Sequence, residues 1–272
     1  MTPPPLPPPP PLPFTRVCLS CDDTPPLHFT DYWPLVAASW HRFFPEAKVC
    51  MAFTGDESRL PFLRRYGEVV HIPVPTSSPQ LPIPSANWAK FARVVLAAQY
   101  PTDISVLHDM DSIVLQREYG ERITAQRKKD HLLLVGGEVY FGPEAGKAQM
   151  SWLCGEGALF ARMLKICAPK FRVYDNKESL HSPANVFSDE SLIRVLVNAS
   201  EIPVQRVPRD EDIYRDWVDR SWWHLLDHGR LHRGEYHEAN LLRPLKANWA
   251  QIRPLAEYVT GRPVTLEEVL PW

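Results

Sequence analysis

The segment ISVLHDMDSIVL, residues 104–115, places two aspartates between two short apolar runs. Its flanks, residues 104–107 and 112–115, have the β-branched and apolar content of buried strands. Because residues i and i+2 leaving a strand point to one side, Asp109 and Asp111 are predicted to present their carboxylates together. Two such hard oxygen ligands suit Mg²⁺ or Mn²⁺, so the pair is the leading candidate for a metal site.

The segments before this motif alternate between strand and helix patterns. The strand patterns cover residues 17–20, 48–54 and 69–74, and the helix patterns cover 31–44, 58–66 and 85–99. This alternation favours parallel strands joined by helical crossovers. Further patterns follow it, namely helices at 118–129, 157–167 and 188–198 and strands at 131–135 and 139–142. We therefore expect an α/β fold, a mostly parallel central sheet flanked by helices, with residues 15–272 forming one domain.

Proline dominates the first residues of the chain, with nine prolines between Pro3 and Pro13. Proline supplies no backbone donor and holds the chain near polyproline II, so residues 1–14 are predicted to be a disordered tail. A solvated extension is the simpler interpretation. Binding of an SH3 or WW domain is the alternative.

The composition excludes several classes of protein. The 272 residues carry a formal net charge of −2, which gives no general attraction to nucleic acid or anionic membranes. The five cysteines form an odd set, which favours reduced thiols over a disulfide framework. The sequence shows neither an apolar run of about 20 residues nor a signal peptide. We expect a cytoplasmic protein, with peripheral membrane attachment left open.

The block formed by residues 87–100 and 106–115 resembles GT-A-fold glycosyltransferases. In that family a helix carrying Lys or Arg precedes a hydrophobic strand that ends in Asp-x-Asp, and a short apolar strand follows. The resemblance implies transfer of a sugar from a nucleotide-sugar donor, most commonly a UDP-sugar, to a hydroxyl acceptor. It also implies Mn²⁺ or Mg²⁺ on the donor diphosphate, with Asp111 as a direct ligand and Asp109 as a ligand or ribose contact.

The same resemblance suggests further donor contacts. The end of the first strand would meet the nucleoside, and basic side chains would meet the phosphates; the candidates are Ser20, Asp22, Asp23, Lys90, Arg93 and Arg243. Related enzymes often supply a histidine as an additional metal ligand near the C-terminus. Here the expected spacing falls on Asn240, with His237 three residues earlier, so both are candidates.

Asp189 and Glu190 are the candidates for the catalytic base, since inverting members of the family place an acidic residue at a helix start that faces the acceptor. Acids also favour the first helical turn for purely electrostatic reasons. Glu156 is a weaker candidate for contact with the acceptor.

Other interpretations remain open at this stage. In phosphatases of the haloacid dehalogenase type Asp109 would be the nucleophile and Asp111 a general acid, but that family places the motif on its first strand. A non-catalytic binding protein could use the proline tail and the Trp-rich C-terminal segment. Cys18 and Cys21 have the spacing of half a zinc site, without a second half. The acidic residues 210–212 are expected to form a solvated turn.

Overall fold

The computed structural model of the chain describes residues 12–25, 28–74, 85–136, 151–173, 197, 200–208 and 216–270. The strands in these residues are β1 (Arg16–Cys21), β2 (Lys48–Phe53), β3 (Glu68–His71), β4 (Ile104–Leu107), β5 (Ser112–Val114), β6 (Leu132–Val135), β7 (Leu153–Glu156), β8 (Val204–Val207), β9 (Trp217–Val218) and β10 (Glu238–Asn240).

Seven of these strands form the central sheet, in the order β3-β2-β1-β4-β7-β6-β8. Strands β3, β2, β1 and β4 pair in parallel, as do β6 and β8, whereas β7 is antiparallel to both of its neighbours. The prediction of a mostly parallel sheet is therefore confirmed. A smaller sheet has the order β5-β10-β9, and its strand β5 begins directly after the acidic motif.

The α-helices in the described ranges are α1 (Trp33–Phe43), α2 (Leu60–Leu63), α3 (Ser85–Ala98), α4 (Arg117–Thr124), α5 (Gly157–Val173), α6 (His228–His232), α7 (Trp249–Thr260) and α8 (Leu266–Val269). Several are shorter than their patterns. The predicted helix 58–66 is a 3-10 turn over Glu57–Arg59 followed by α2, which begins beside Pro61 because proline suits a first helical turn. Likewise, α4 ends at Thr124 rather than near residue 129. No helix among the described residues is long and apolar enough to cross a bilayer.

Two hydrophobic cores lie on the two faces of the central sheet. One contains Trp33 and Trp40 of α1 together with Cys21, and the other contains Cys18 and the apolar face of α3. Side chains three positions apart on a strand point to opposite faces, which explains why the two thiols separate. They therefore cannot bind one zinc ion. Burial raises the pKa of the Cys18 thiol to about 12, as expected for an unreactive core cysteine.

Two parts of the fold differ from the sequence expectation, namely the start of the packed chain and strand β7. Phe14, assigned above to the tail, is buried and packs against Trp40 and Phe44, so the packed part of the chain begins before residue 15. Strand β7 had no recognisable pattern in the sequence, because its four residues include a glycine and a glutamate and show no clear periodicity. The strand predicted at 139–142, the helix predicted at 188–198 and the acidic turn 210–212 lie outside the described residues, apart from a helical residue at 197.

Candidate functional site

The acidic pair lies in the short turn that joins β4 to β5. Strand β4 pairs in parallel with β1, and the His108 amide donates to the carbonyl of Cys18 at 3.2 Å. Parallel neighbours end at the same edge of a sheet, so Asp109 and Asp111 share an edge with the end of β1. The fold thus brings two sequence-predicted groups together at the position where open α/β sheets bind ligands.

Arg93 of α3 holds Asp109 in place. Its Nη1 donates both to Asp109 Oδ1 and to the carbonyl of His108, each at 2.7 Å. The Arg93 side chain is buried, whereas that of Asp109 is 39% exposed. Desolvation would raise the pKa of Asp109, but the charge and hydrogen bond of Arg93 outweigh it and hold this pKa below its ordinary value. Asp109 is therefore an ionised carboxylate that solvent can reach.

Asp111 is 4% exposed, and two guanidinium groups contact its Oδ2. They belong to Arg243, a predicted donor contact, and to Arg220, which the sequence did not indicate. Both side chains are about one third exposed, at 31% for Arg220 and 34% for Arg243. The solvent-facing side of this ion-pair cluster is therefore cationic, although the motif itself is acidic.

A buried polar cluster supports the motif from behind. The Glu238 carboxylate is 3% exposed and accepts hydrogen bonds from Ser112 Oγ and, at 2.8 Å, from Trp152 Nε1. His108 Nε2 lies 3.3 Å from Glu238 Oε1, and the His108 ring packs edge-on against Trp40 and Trp152. These contacts tie β10 and β7 to both ends of the acidic turn. Sequence reasoning missed Glu238, because no local pattern links it to residues 86 and 126 positions away.

The end of β1 presents the predicted nucleoside contacts. Asp22 is buried and accepts a hydrogen bond from Thr24 Oγ1 at 2.6 Å, and Asp23 forms an ion pair with Arg59 at 3.4 Å. Ser20 Oγ is buried and has no hydrogen-bond partner among the described residues. An unsatisfied buried hydroxyl is costly, so Ser20 is a group that a bound ligand could satisfy.

A cavity of about 370 Å³ is lined in part by Arg59, the ion-pair partner of Asp23. Its lining residues are His28, Asp31, Arg59, Lys246, Leu266, Glu267 and Leu270. Arg59 connects it to Asp23, and Lys246 follows Arg243 by three residues. The volume falls within the range of roughly 300–1,000 Å³ that is usual for small-molecule sites.

The two candidates for an additional metal ligand, Asn240 and His237, lie at different distances from the acidic pair. Asn240 pairs with Ser112, and the next residue, Leu241, donates its amide to the carbonyl of Asp111 at 2.7 Å. His237 instead accepts from the amide of Leu115, four residues beyond Asp111, a separation of about 13 Å along a strand. Its ring stacks on Tyr119 with 4.6 Å between centroids. The register therefore brings Asn240, but not His237, next to the acidic pair.

The other predicted residues lie outside this cluster. Lys90 is exposed on α3, three residues before Arg93, and Glu156 ends β7 and forms an ion pair with Arg127 at 3.4 Å. Asp189 and Glu190 lie outside the described residues. Within the described ranges, no group of three or more His, Cys, Asp or Glu side chains is arranged to hold a metal by itself.

Three solved glycosyltransferase structures have a fold similar to that of this chain. The galactosyltransferase LgtC, in complex with donor and acceptor sugar analogues, matches with a TM-score of 0.51 at 12% identity, over 94% of this chain and 99% of LgtC. GlyE of Streptococcus pneumoniae TIGR4 matches with a TM-score of 0.51 at 12% identity, over 95% of this chain and 62% of GlyE. The bifunctional glycosyltransferase WbbM matches with a TM-score of 0.50 at 12% identity, over 98% of this chain and 52% of WbbM.

No family model and no curated protein matches the sequence. At 12% identity the structural likeness establishes the fold alone, which is the GT-A fold that the sequence predicted.

Proposed function

We propose that the protein is a glycosyltransferase that moves a sugar from a nucleotide-sugar donor, with a UDP-sugar as the first candidate, to a hydroxyl group of an acceptor. The observation that carries the proposal is the placement of Asp109 and Asp111 at the carboxyl edge of the central sheet, beside the end of β1 and bordered by arginines. The fold shared with LgtC, which was crystallised with donor and acceptor sugar analogues, supports it.

The donor diphosphate would lie against the exposed face of this arginine-bordered edge. Glycosyl transfer releases a nucleoside diphosphate, and the negative charge that develops on it needs stabilisation. Arg243 can supply a planar, bidentate donor to phosphate oxygens. Its guanidinium lies over the Phe29 ring, 4.9 Å from the centroid, which orients it at the edge of the site.

The two aspartates can bind a divalent cation, Mn²⁺ or Mg²⁺, when the phosphates of the sugar donor complete its coordination. Mg²⁺ is commonly bound by one or two carboxylates together with substrate phosphates, so two aspartates without a third acid are sufficient. Asp109 is ionised and accessible, Asp111 is the second carboxylate, and the Asn240 amide oxygen is the additional candidate; His237 stays a weaker one because of its register. The bound metal would supply positive charge to the departing diphosphate.

The nucleoside would occupy the end of β1 and the adjoining cavity. Ser20 Oγ could gain its missing hydrogen bond from the nucleoside, and Asp23 and Arg59 form the boundary between strand end and cavity. We assign Arg93 to positioning Asp109, since its side chain is too buried to reach a ligand freely. Lys90 is exposed and stays a candidate donor contact.

The acceptor hydroxyl requires a base. Asp189 and Glu190 remain our candidates, and the carboxylate would take the hydroxyl proton as that oxygen attacks the anomeric carbon. The bond from that carbon to the diphosphate oxygen then breaks, and the electron pair leaves with the nucleoside diphosphate.

The test is a panel of nucleotides and nucleotide sugars in thermal melts with and without Mn²⁺. We expect one nucleotide class to raise the melting temperature by several degrees only when the metal is present, since a ligand at roughly 100 times its Kd adds about 2.7 kcal/mol. Asp111→Asn should lose this shift, whereas Asp130→Asn, the same change at an exposed loop residue, should keep it. If no nucleotide stabilises the wild type, or if Asp111→Asn responds equally, the proposal is wrong.

A further inference from the structure

One carboxylate oxygen of Asp111 contacts two arginines, which belong to different segments of the chain. Arg220 begins the 3-10 segment Arg220–Leu225 after β9, and Arg243 follows β10. The Asp111 side chain is nearly inaccessible, whereas both arginine side chains are about one third exposed. A ligand that approaches Asp111 from solvent therefore meets the two guanidinium groups first.

This arrangement opposes a free cation and favours an anion. At Asp111 itself, Arg220 and Arg243 carry two positive charges against one negative charge, so these three side chains sum to +1. A divalent cation at Asp111 would have to displace a guanidinium and would be repelled by those that stay. A diphosphate that arrives with the cation brings the missing negative charge and offers new acceptors to a displaced arginine.

The guanidinium group of Arg220 contacts two different acceptors. Its Nε donates to the carbonyl of Leu241 at 2.9 Å, while its Nη2 contacts Asp111. The segment around it is fixed, because the Asp219 side chain accepts from the Ser221 amide and Trp223 Nε1 donates to the carbonyl of Asn240 at 2.7 Å. Because the guanidinium is planar, Nη2 can leave Asp111 when the whole group tilts about the Nε bond to Leu241.

We propose that Arg220 is a second diphosphate-binding residue that exchanges partners: it pairs with Asp111 in the ligand-free protein and donates to a diphosphate oxygen once a metal occupies Asp111. This inference rests on the proposed function. It makes metal and donor binding cooperative, because the metal alone must break the Arg220–Asp111 pair, whereas metal and diphosphate together give Arg220 a new anionic partner.

The exchange of partners predicts that Arg220→Gln changes the affinity for Mn²⁺ and the affinity for UDP in opposite directions. Binding of Mn²⁺ alone, followed by the electron paramagnetic resonance signal of free Mn²⁺, should tighten because a competitor for Asp111 is gone. Binding of UDP at saturating Mn²⁺, measured by titration calorimetry, should weaken by about tenfold, as expected for the loss of one charge-assisted bond. Arg220→Lys should recover part of the UDP affinity, since it keeps the charge but not the planar fork.

The control is Arg253→Gln, which removes an exposed arginine that pairs with Glu257 on α7 and should change neither affinity. A merely structural role for Arg220 would weaken both ligands together, and that result would overturn the exchange, as would two unchanged affinities. If the wild type binds UDP and Mn²⁺ normally, such a result contradicts only the role of Arg220. If no nucleotide of the panel binds the wild type in the presence of Mn²⁺, the proposed function fails and the exchange fails with it.

Discussion

Asp111→Asn is expected to lower kcat/KM for transfer from the nucleotide sugar by about a hundredfold or more, the scale seen when a group that stabilises developing charge is removed. The substitution keeps the size of the side chain and one acceptor oxygen, but it removes the negative charge that would hold the metal against the diphosphate. The measurement is the initial rate of nucleoside diphosphate release at saturating Mn²⁺, with the donor identified by the nucleotide panel.

Loss of folding should not account for this effect. Arg220 and Arg243 are about one third exposed, so water can solvate them when the carboxylate charge is gone. The variant should therefore keep its circular dichroism spectrum, and Asp130→Asn serves as the matched control for the chemical change. A folded Asp111→Asn enzyme with the wild-type kcat/KM would show that the carboxylate is not part of the donor site.

Glu238→Ala is expected to lower the free energy of unfolding by about 3 kcal/mol or more, because each buried group left without a partner costs roughly 1–3 kcal/mol. The change removes the acceptor of Ser112 Oγ and Trp152 Nε1 and the carboxylate beside His108. Glu238→Gln should cost less, since the amide keeps one acceptor oxygen. The measurement is urea unfolding, extrapolated to water.

Ser112→Ala is the matched comparison, because it removes only one donor to the same carboxylate. It should cost about 1 kcal/mol, the usual net value of one hydrogen bond. A Glu238→Ala protein whose stability lies within about that amount of the wild type would show that the buried carboxylate does not hold the motif together.

The parallel half of the sheet could be predicted from sequence because its elements are local. The strand at residues 48–54 and the helix at 31–44 each carry their own periodicity, and their alternation fixes the parallel pairing. The position of the acidic pair at the sheet edge followed from the same local pattern, since Asp109 and Asp111 come two and four residues after the end of β4.

Contacts between distant segments could not be predicted in the same way. Arg220 is 109 residues from Asp111, and its approach depends on the pairing of β10 with β9 and β5. The same register sets which of Asn240 and His237 lies nearer the motif, since shifting a strand changes which residue lies opposite it. Burial adds what the resemblance could not supply, because the side chain of Arg93, a donor-contact candidate, is buried and pairs with Asp109.

The central claim is that Asp109 and Asp111 hold a cation against the donor diphosphate at the edge of the sheet. A crystal structure with Mn²⁺ and UDP, with anomalous differences recorded for manganese, tests this claim most directly. The account predicts a manganese peak at bonding distance from a carboxylate oxygen of the pair and from a diphosphate oxygen, with the nucleoside at the end of β1. A manganese ion elsewhere, or a nucleotide bound with its diphosphate away from Asp109 and Asp111, would contradict it.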